Sequence, residues 1–139
     1  MSLTSLEIYS IVEEWVKSSS LGDEVHNIYI DDYPKTPSNR SIKGEFIVIN
    51  VLTNAIEDEQ VSTVNLNLYV PDVSIRMNAV AQRQPDTPRL KELTRVAYDS
   101  LKGYPTFERW YFDVSSEVIL REEGIPYSFA SIKLTFKKY

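Results

Sequence analysis

Residues 61–73 read VSTVNLNLYVPDV. From Val64 the alternation is unbroken, with Val64, Leu66, Leu68 and Val70 on one side and Asn65, Asn67 and Tyr69 on the other. A period of two is the mark of a strand with one face in an apolar core. The pattern recurs near the end of the chain. In WYFDVSSEVIL (110–120), Trp110, Phe112, Val114, Val118 and Leu120 are expected to point in, and Tyr111, Asp113, Ser115 and Glu117 out. In SFASIKLTFKK (128–138), Ala130, Ile132, Leu134 and Phe136 are expected in, and Ser131, Lys133, Thr135 and Lys137 out. Strands of this kind need a flat apolar partner over one face.

Two helices supply it. In residues 4–18, Thr4 and Glu7 have capping-box spacing, and Ile8, Tyr9, Ile11, Val12, Trp15 and Val16 form one broad apolar stripe. Gly22 is placed to end this helix as a left-handed cap. In the second helix Thr87 reads as the N-cap with Pro88 at the first helical position. Its stripe is Leu90, Leu93, Ala97 and Leu101, and Gly103 and Pro105 stop it. VHNIYI (25–30) is a short strand. FIVINVL (46–52) is so apolar that both its faces are expected to be covered, and it pairs with residues 61–70 across the acidic turn AIEDEQ (55–60). Residues 31–44 and 71–86 read as long loops, the first expected to be mobile, the second without a clear period. The expectation is one α+β domain over residues 1–139. It is a two-layer sandwich of a mainly antiparallel sheet, about five strands, with two helices on one face, in the order α-β-β-β-α-β-β. Trp15, Leu93, Phe112 and Leu134 are expected to share a single core.

Composition narrows the chemistry. With no cysteine there is neither a disulfide framework nor a thiolate metal site. The net charge of −5 argues against direct nucleic-acid binding, which needs a strong positive field. No run is long enough to span a membrane, and the first ten residues lack the basic and apolar regions of a secretory signal, so a cytoplasmic site of folding is expected. The single histidine, His26, has no obvious catalytic partner and reads most simply as structural or exposed. No phosphate-binding glycine loop, nucleophile elbow or zinc-helix motif occurs. The acidic runs Asp31-Asp32, Glu57-Asp58-Glu59 and Glu122-Glu123 lack calcium-loop spacing and read as solvated turns. No enzyme activity, metal or cofactor is expected.

Charge is unevenly spread. Residues 1–70 hold 11 acids against 4 bases, and residues 71–139 hold 9 acids against 11 bases. Such asymmetry suits a protein that meets copies of itself head to side, although two solvated faces would also produce it. Lys91, Arg95 and Lys102 line one side of the second helix, and Arg76 and Arg83 add base to the 71–86 segment. Asparagine is a poor strand residue, so the face carrying Asn65, Asn67 and Tyr69, joined by Tyr111, invites a second reading. Amides and phenols lose less entropy on ordering than Lys or Glu, and Tyr is favoured in interfaces. These nine residues are the candidate interface.

The succession of GEFIVINVLTNAIEDEQVSTVNLNLYV, PRLKELTRVAYDSLKGY and RWYFDVSSEVILREEGIPYSFASIKLTFKKY, after a helix, a strand and a proline-bearing loop, resembles the tail terminator (tail completion) proteins of long-tailed phages and prophages. The resemblance covers nearly the whole chain and lies in element order, not in a residue motif, so no site is carried over. The long 71–86 connection departs from a minimal version of the pattern. The resemblance implies a non-enzymatic subunit without cofactor that forms a ring, typically a hexamer, which caps the tail tube and joins it to the head, meeting the tube protein and the head–tail connector. It implies residence in the host cytoplasm and then in the tail or neck of the virion. The competing expectation is a small ligand-binding domain or carboxylate-dependent hydrolase on the same fold, which would need a concave site with convergent polar groups.

Overall fold

The computed structural model describes residues 3–34, 43–56, 60–102 and 110–138, with backbone alone at Met77, Lys102, Trp110, Tyr111 and Lys138. Most of the 31–44 loop, the acidic triplet 57–59 and the Gly103/Pro105 stop lie outside the described residues. The described residues have the expected α+β architecture, with three helices, a five-stranded sheet and a separate two-stranded sheet.

Helix α1 (Ser5–Ser18) starts as its sequence dictates. The Glu7 N–H donates to Thr4 Oγ1 at 3.2 Å and the Thr4 N–H donates to Glu7 Oε1 at 3.1 Å, closing the capping box. Ile8, Val12, Trp15 and Val16 are buried, while Tyr9 and Ile11 sit half-buried at the edges of the stripe. Gly22 does not cap α1. The chain turns at Ser19 into a second short helix, α2 (Ser20–Glu24), and Gly22 lies inside it. A Cβ there would run into the Val16 and Lys17 carbonyls, so glycine is required by close approach, not by a left-handed backbone.

The sheet runs β1-β2-β3-β7-β6, where β1 is Asn27–Ile30, β2 Phe46–Ala55, β3 Gln60–Pro71, β6 Trp110–Arg121 and β7 Tyr127–Lys138. All pairs are antiparallel except β1 with β2, which is parallel. Register follows the alternation read from sequence. Leu66 of β3 lies between Ile49 of β2 and Ile132 of β7, and Leu68 lies between Ile47 and Ala130. These side chains form the helix-side core with Ile8, Val12, Trp15, Val16 and Leu21 and with Leu90, Leu93 and Ala97. Phe112 packs against it, 5.7 Å from the Trp15 ring and 5.2 Å from that of Phe136.

The remaining segment corrects the reading of 71–86 as an irregular loop. Val73–Met77 (β4) and Val80–Gln84 (β5) pair antiparallel, with Met77 opposite Val80. Asn78 and Ala79 form the two-residue turn, with φ of 52° and 65°, the left-handed pair that a tight hairpin turn demands. Helix α3 (Thr87–Lys102) is capped one residue earlier than expected. The Asp86 carbonyl accepts from the Leu90 N–H at 3.0 Å, and Asp86 Oδ1 accepts from the Arg89 N–H at 3.3 Å. Asp86 is therefore the N-cap, and Thr87 and Pro88 open the first turn.

A second correction concerns β6. Its register with β7 slips between Val114 and Ser116, so Ser115 is a bulge residue, hydrogen-bonded to the Thr135 hydroxyl. Beyond it the parity reverses. Glu117 is opposite Ile132 and Ile119 opposite Ala130 on the helix side, while Val118 and Leu120 turn to the other face, opposite Ser131 and Phe129. The sequence reading had Val118 and Leu120 pointing in and Glu117 out.

Candidate interaction surface

The face of the sheet away from the helices is not the open amide and phenol surface expected. Tyr33, Phe46, Val48, Tyr69, Ile125 and Tyr127 form a second buried cluster there. Tyr69 stacks between Phe46 and Phe129, each ring centroid 4.5 Å away, and its hydroxyl donates to Glu122 Oε2 at 2.9 Å. Burial, then that carboxylate, push the Tyr69 phenol well above its ordinary range, and burial with the charges of Glu122 and Asp32 pushes Tyr33 up to about 12. Tyr69 is thus a core residue, and Glu122 is more than a solvated turn. Asn67 is only 7 % exposed, and its Oδ1 accepts no hydrogen bond from the described residues. Asn65 is half-buried with Oδ1 likewise unpartnered. The side chain of Tyr111, which the sequence placed on this face, is outside the description.

The basic residues are distributed over two places. Lys91 and Arg95 are exposed on α3, as the helix periodicity predicts, and they edge a groove of about 810 Å³ between α3 and β6. Leu90, Pro85, Pro88, Tyr98 and Ile119 give it an apolar floor. Tyr98 donates to Glu117 Oε2 at 3.0 Å across the groove, and the Arg95 guanidinium lies 5.9 Å over the Tyr98 ring. Burial and the Glu117 carboxylate raise the Tyr98 pKa against the opposing pull of Arg95. The Lys102 side chain lies outside the description. Arg76 and Arg83 stand apart from this groove, on the β4–β5 hairpin.

The hairpin is fixed at its base and bare along its length. Arg83 Nε pairs with Asp72 Oδ2 at 2.9 Å, and the buried Asp72 carboxylate also accepts from Ser128 Oγ at 2.6 Å. Arg121 donates to Gln84 Oε1 at 3.3 Å. Along its length, Val73, Ile75 and Val80 share one face and are 39–58 % exposed, and Arg76 is exposed on the opposite face. An arm anchored on the buried Asp72 carboxylate yet presenting three apolar side chains to water is not covered by the described residues.

On α1 the outward face is acidic. A shallow depression of about 500 Å³ is lined by Ser10, Glu13, Glu14, Lys17 and Ser18, and Lys17 is paired with Glu13 at 3.1 Å. The strongest charge cluster is one that sequence periodicity missed. Arg89 at the start of α3 holds Glu45 in a two-pronged contact at 2.6 and 2.8 Å and also reaches Glu92 at 2.9 Å and Glu24 at 3.2 Å. These contacts, that with Glu45 first, raise its pKa and pin α3 to α2 and to the entry of β2.

Among the described residues no three His, Asp or Glu side chains converge as metal ligands, and His26 is exposed, just before β1. No described helix is long and apolar enough to cross a membrane. No family model matches the chain, and no curated protein matches it.

Proposed function

We propose that this chain is a non-enzymatic structural subunit that assembles head to tail into a ring, and that the ring caps the tail tube of a long-tailed phage or prophage and joins it to the head. The reading takes its biological setting from the resemblance in element order described above. The observation that carries it is the β4–β5 arm. A ring built from one repeated contact needs two different matching patches on each subunit. The arm offers one, with Val73, Ile75 and Val80 apolar on one face and Arg76 basic on the other, so that a groove straddling the arm meets both. The acidic depression on α1, with Glu13 and Glu14, offers a counterpart of opposite charge. Exposed ion pairs contribute only about 0–1 kcal/mol each, so charge orients the subunits while the apolar side chains hold them. The partners are further copies of the chain, the tube protein and the connector, and the working location is the virion tail or neck after folding in the host cytoplasm.

The test adds the purified chain to cognate tail tubes and looks for a terminal ring by electron microscopy. Ile75→Asp and Arg76→Glu, which alter an exposed arm, are expected to abolish the ring while leaving the far-ultraviolet circular dichroism unchanged. A chain that never occupies tube ends, or whose arm variants bind unchanged, overturns the reading. One observation favours a second reading, a small ligand-binding domain: the apolar groove between α3 and β6, with Tyr98, Glu117 and Arg95 converging on it. A thermal-shift screen that finds a ligand lost on Tyr98→Ala, with no tube binding, selects that reading instead.

A further inference from the structure

Among the described residues strand β6 is the last strand of the sheet, and one row of its backbone N–H and C=O groups meets no described strand. It is 12 residues long, and Val118, Ile119 and Leu120 are 44–51 % exposed. A long edge strand with bare apolar side chains is a template for another strand. We infer that β6 pairs antiparallel with β6 of a second copy about a two-fold axis through Ile119, forming a dimer with a sheet continuous across both chains.

The register is chosen by the side chains. Across an antiparallel pair, opposite residues share a face. With Ile119 on the axis, Val118 meets Leu120 of the second copy on one face, and Glu117 meets Arg121 of the second copy on the other, each contact occurring twice by symmetry. Apolar meets apolar and acid meets base throughout residues 117–121. Other two-fold registers fail. Centring on Glu117 or on Arg121 sets like charges directly opposite each other, which is destabilising. Centring on Val118 sets Glu117 against Ile119, and centring on Leu120 sets Arg121 against Ile119. Roughly four to six backbone hydrogen bonds form across the axis, by whichever parity of β6 faces outward. The bulge at Ser115 bends the strand and marks where the pairing stops. Tyr98 occupies Oε2 of Glu117 and its second oxygen meets Arg121 of the second copy, which turns from its exposed 3.3 Å contact with Gln84 to reach it.

This dimer goes beyond the ring reading. It is two-fold, uses one patch against itself, and is sought with the chain alone in the absence of tubes, so its failure leaves the tube experiment standing and the reverse. The test is sedimentation equilibrium of the full chain with three variants. The unaltered chain is expected to be dimeric at micromolar concentration. Glu117→Arg and Arg121→Glu are each expected to weaken the dimer on the order of tenfold or more, because each creates two like-charge contacts. The exchanged pair Glu117→Arg with Arg121→Glu is expected to restore it, a rescue that simple loss of folding cannot produce. Because the chain has no cysteine, Ile119→Cys adds a clean second readout, a disulfide-linked dimer on mild oxidation that Ser116→Cys does not form. A chain that stays monomeric at all concentrations, a dimer unmoved by the single reversals, or an exchanged pair no tighter than the singles overturns the inference.

Discussion

Phe46 separates a sheet with one buried face from a sheet with two. It is 1 % exposed on the face away from the helices. Its ring stacks on Tyr69 at 4.5 Å and meets Tyr127 at 5.2 Å, Tyr33 at 5.4 Å and Tyr29 at 5.7 Å. Truncation of a buried Phe to Ala costs about 3–5 kcal/mol from lost transfer energy and the cavity left behind. Rigid stacked neighbours limit collapse into that cavity, which favours the upper half of the range. Phe46→Leu keeps most of the volume and removes the aromatic geometry, so it is expected to cost about 1–1.5 kcal/mol. Urea unfolding followed by circular dichroism measures both. With a slope of about 2 kcal/mol per molar, Phe46→Ala moves the midpoint down by about 2 M and Phe46→Leu by well under 1 M. If Phe46→Ala costs under about 1 kcal/mol, the cluster does not hold the second face, and the open sheet face expected from the asparagine pattern is restored.

Other consequences are open to simple measurement. The phenols of Tyr33 and Tyr69 have folded-state pKa values above the ordinary 10, so the folded state favours their neutral forms. Their contribution is intact below pH 10 and is lost as pH rises, for Tyr33 through about 12; unfolding curves from pH 9 to 12 are expected to fall, and less steeply in Tyr69→Phe. Arg89→Ala strands the half-buried Glu45 and is expected to cost about 1–3 kcal/mol, against under about 0.5 kcal/mol for Lys91→Ala on the exposed face, both read by denaturant titration. Ala79 holds a left-handed φ of 65°, so Ala79→Gly is expected to raise stability by up to about 1 kcal/mol, seen as a rise in thermal midpoint.

What was legible in the sequence was whatever one segment writes by itself. The alternation from Val64 to Val70 gave the helix-side face of β3 with no error, and the Thr4/Glu7 box gave the start of α1. The exposed positions of Lys91 and Arg95 followed from the period of α3. The β4–β5 hairpin was hidden for two reasons. Its turn uses Asn-Ala where Asn-Gly would announce it, and both its faces are exposed, so no alternation is imposed on it. The bulge at Ser115 left no mark beyond a pair of serines, yet it decides which side Glu117, Val118, Ile119 and Leu120 take. The second buried face is a product of long-range assembly. Tyr33, Phe46, Tyr69 and Tyr127 come from four segments, and no single strand contains more than one of them. Glu117 as the groove partner of Tyr98 needed both the bulge and the strand order to be known.

The pattern along β6 bears on how a chain can keep an adhesive edge without aggregating. Globular domains commonly blunt an edge strand with charge, shortness or a bulge. Here the bulge deals with the middle of β6, and the stretch beyond it remains long enough to pair. The apolar run Val118-Ile119-Leu120 would by itself accept many strands in many registers, which is the behaviour of an aggregation-prone segment. Glu117 and Arg121 bracket that run with opposite charges two residues either side of Ile119. Moving the axis by two residues in either direction brings like charge onto like charge, and moving it by one sets Ile119 against Glu117 or Arg121 and leaves only the residue on the axis in apolar contact. The two residues therefore act less as a source of affinity, since exposed pairs are worth little, than as a filter that rejects all registers but one. A neutral pair tests this division of labour. Glu117→Gln with Arg121→Gln removes the attraction and the filter together, so the dimer is expected to weaken only a few-fold while higher aggregates appear on concentration, measured by light scattering. A variant that loses the dimer outright without aggregating would instead assign the charges the binding energy itself.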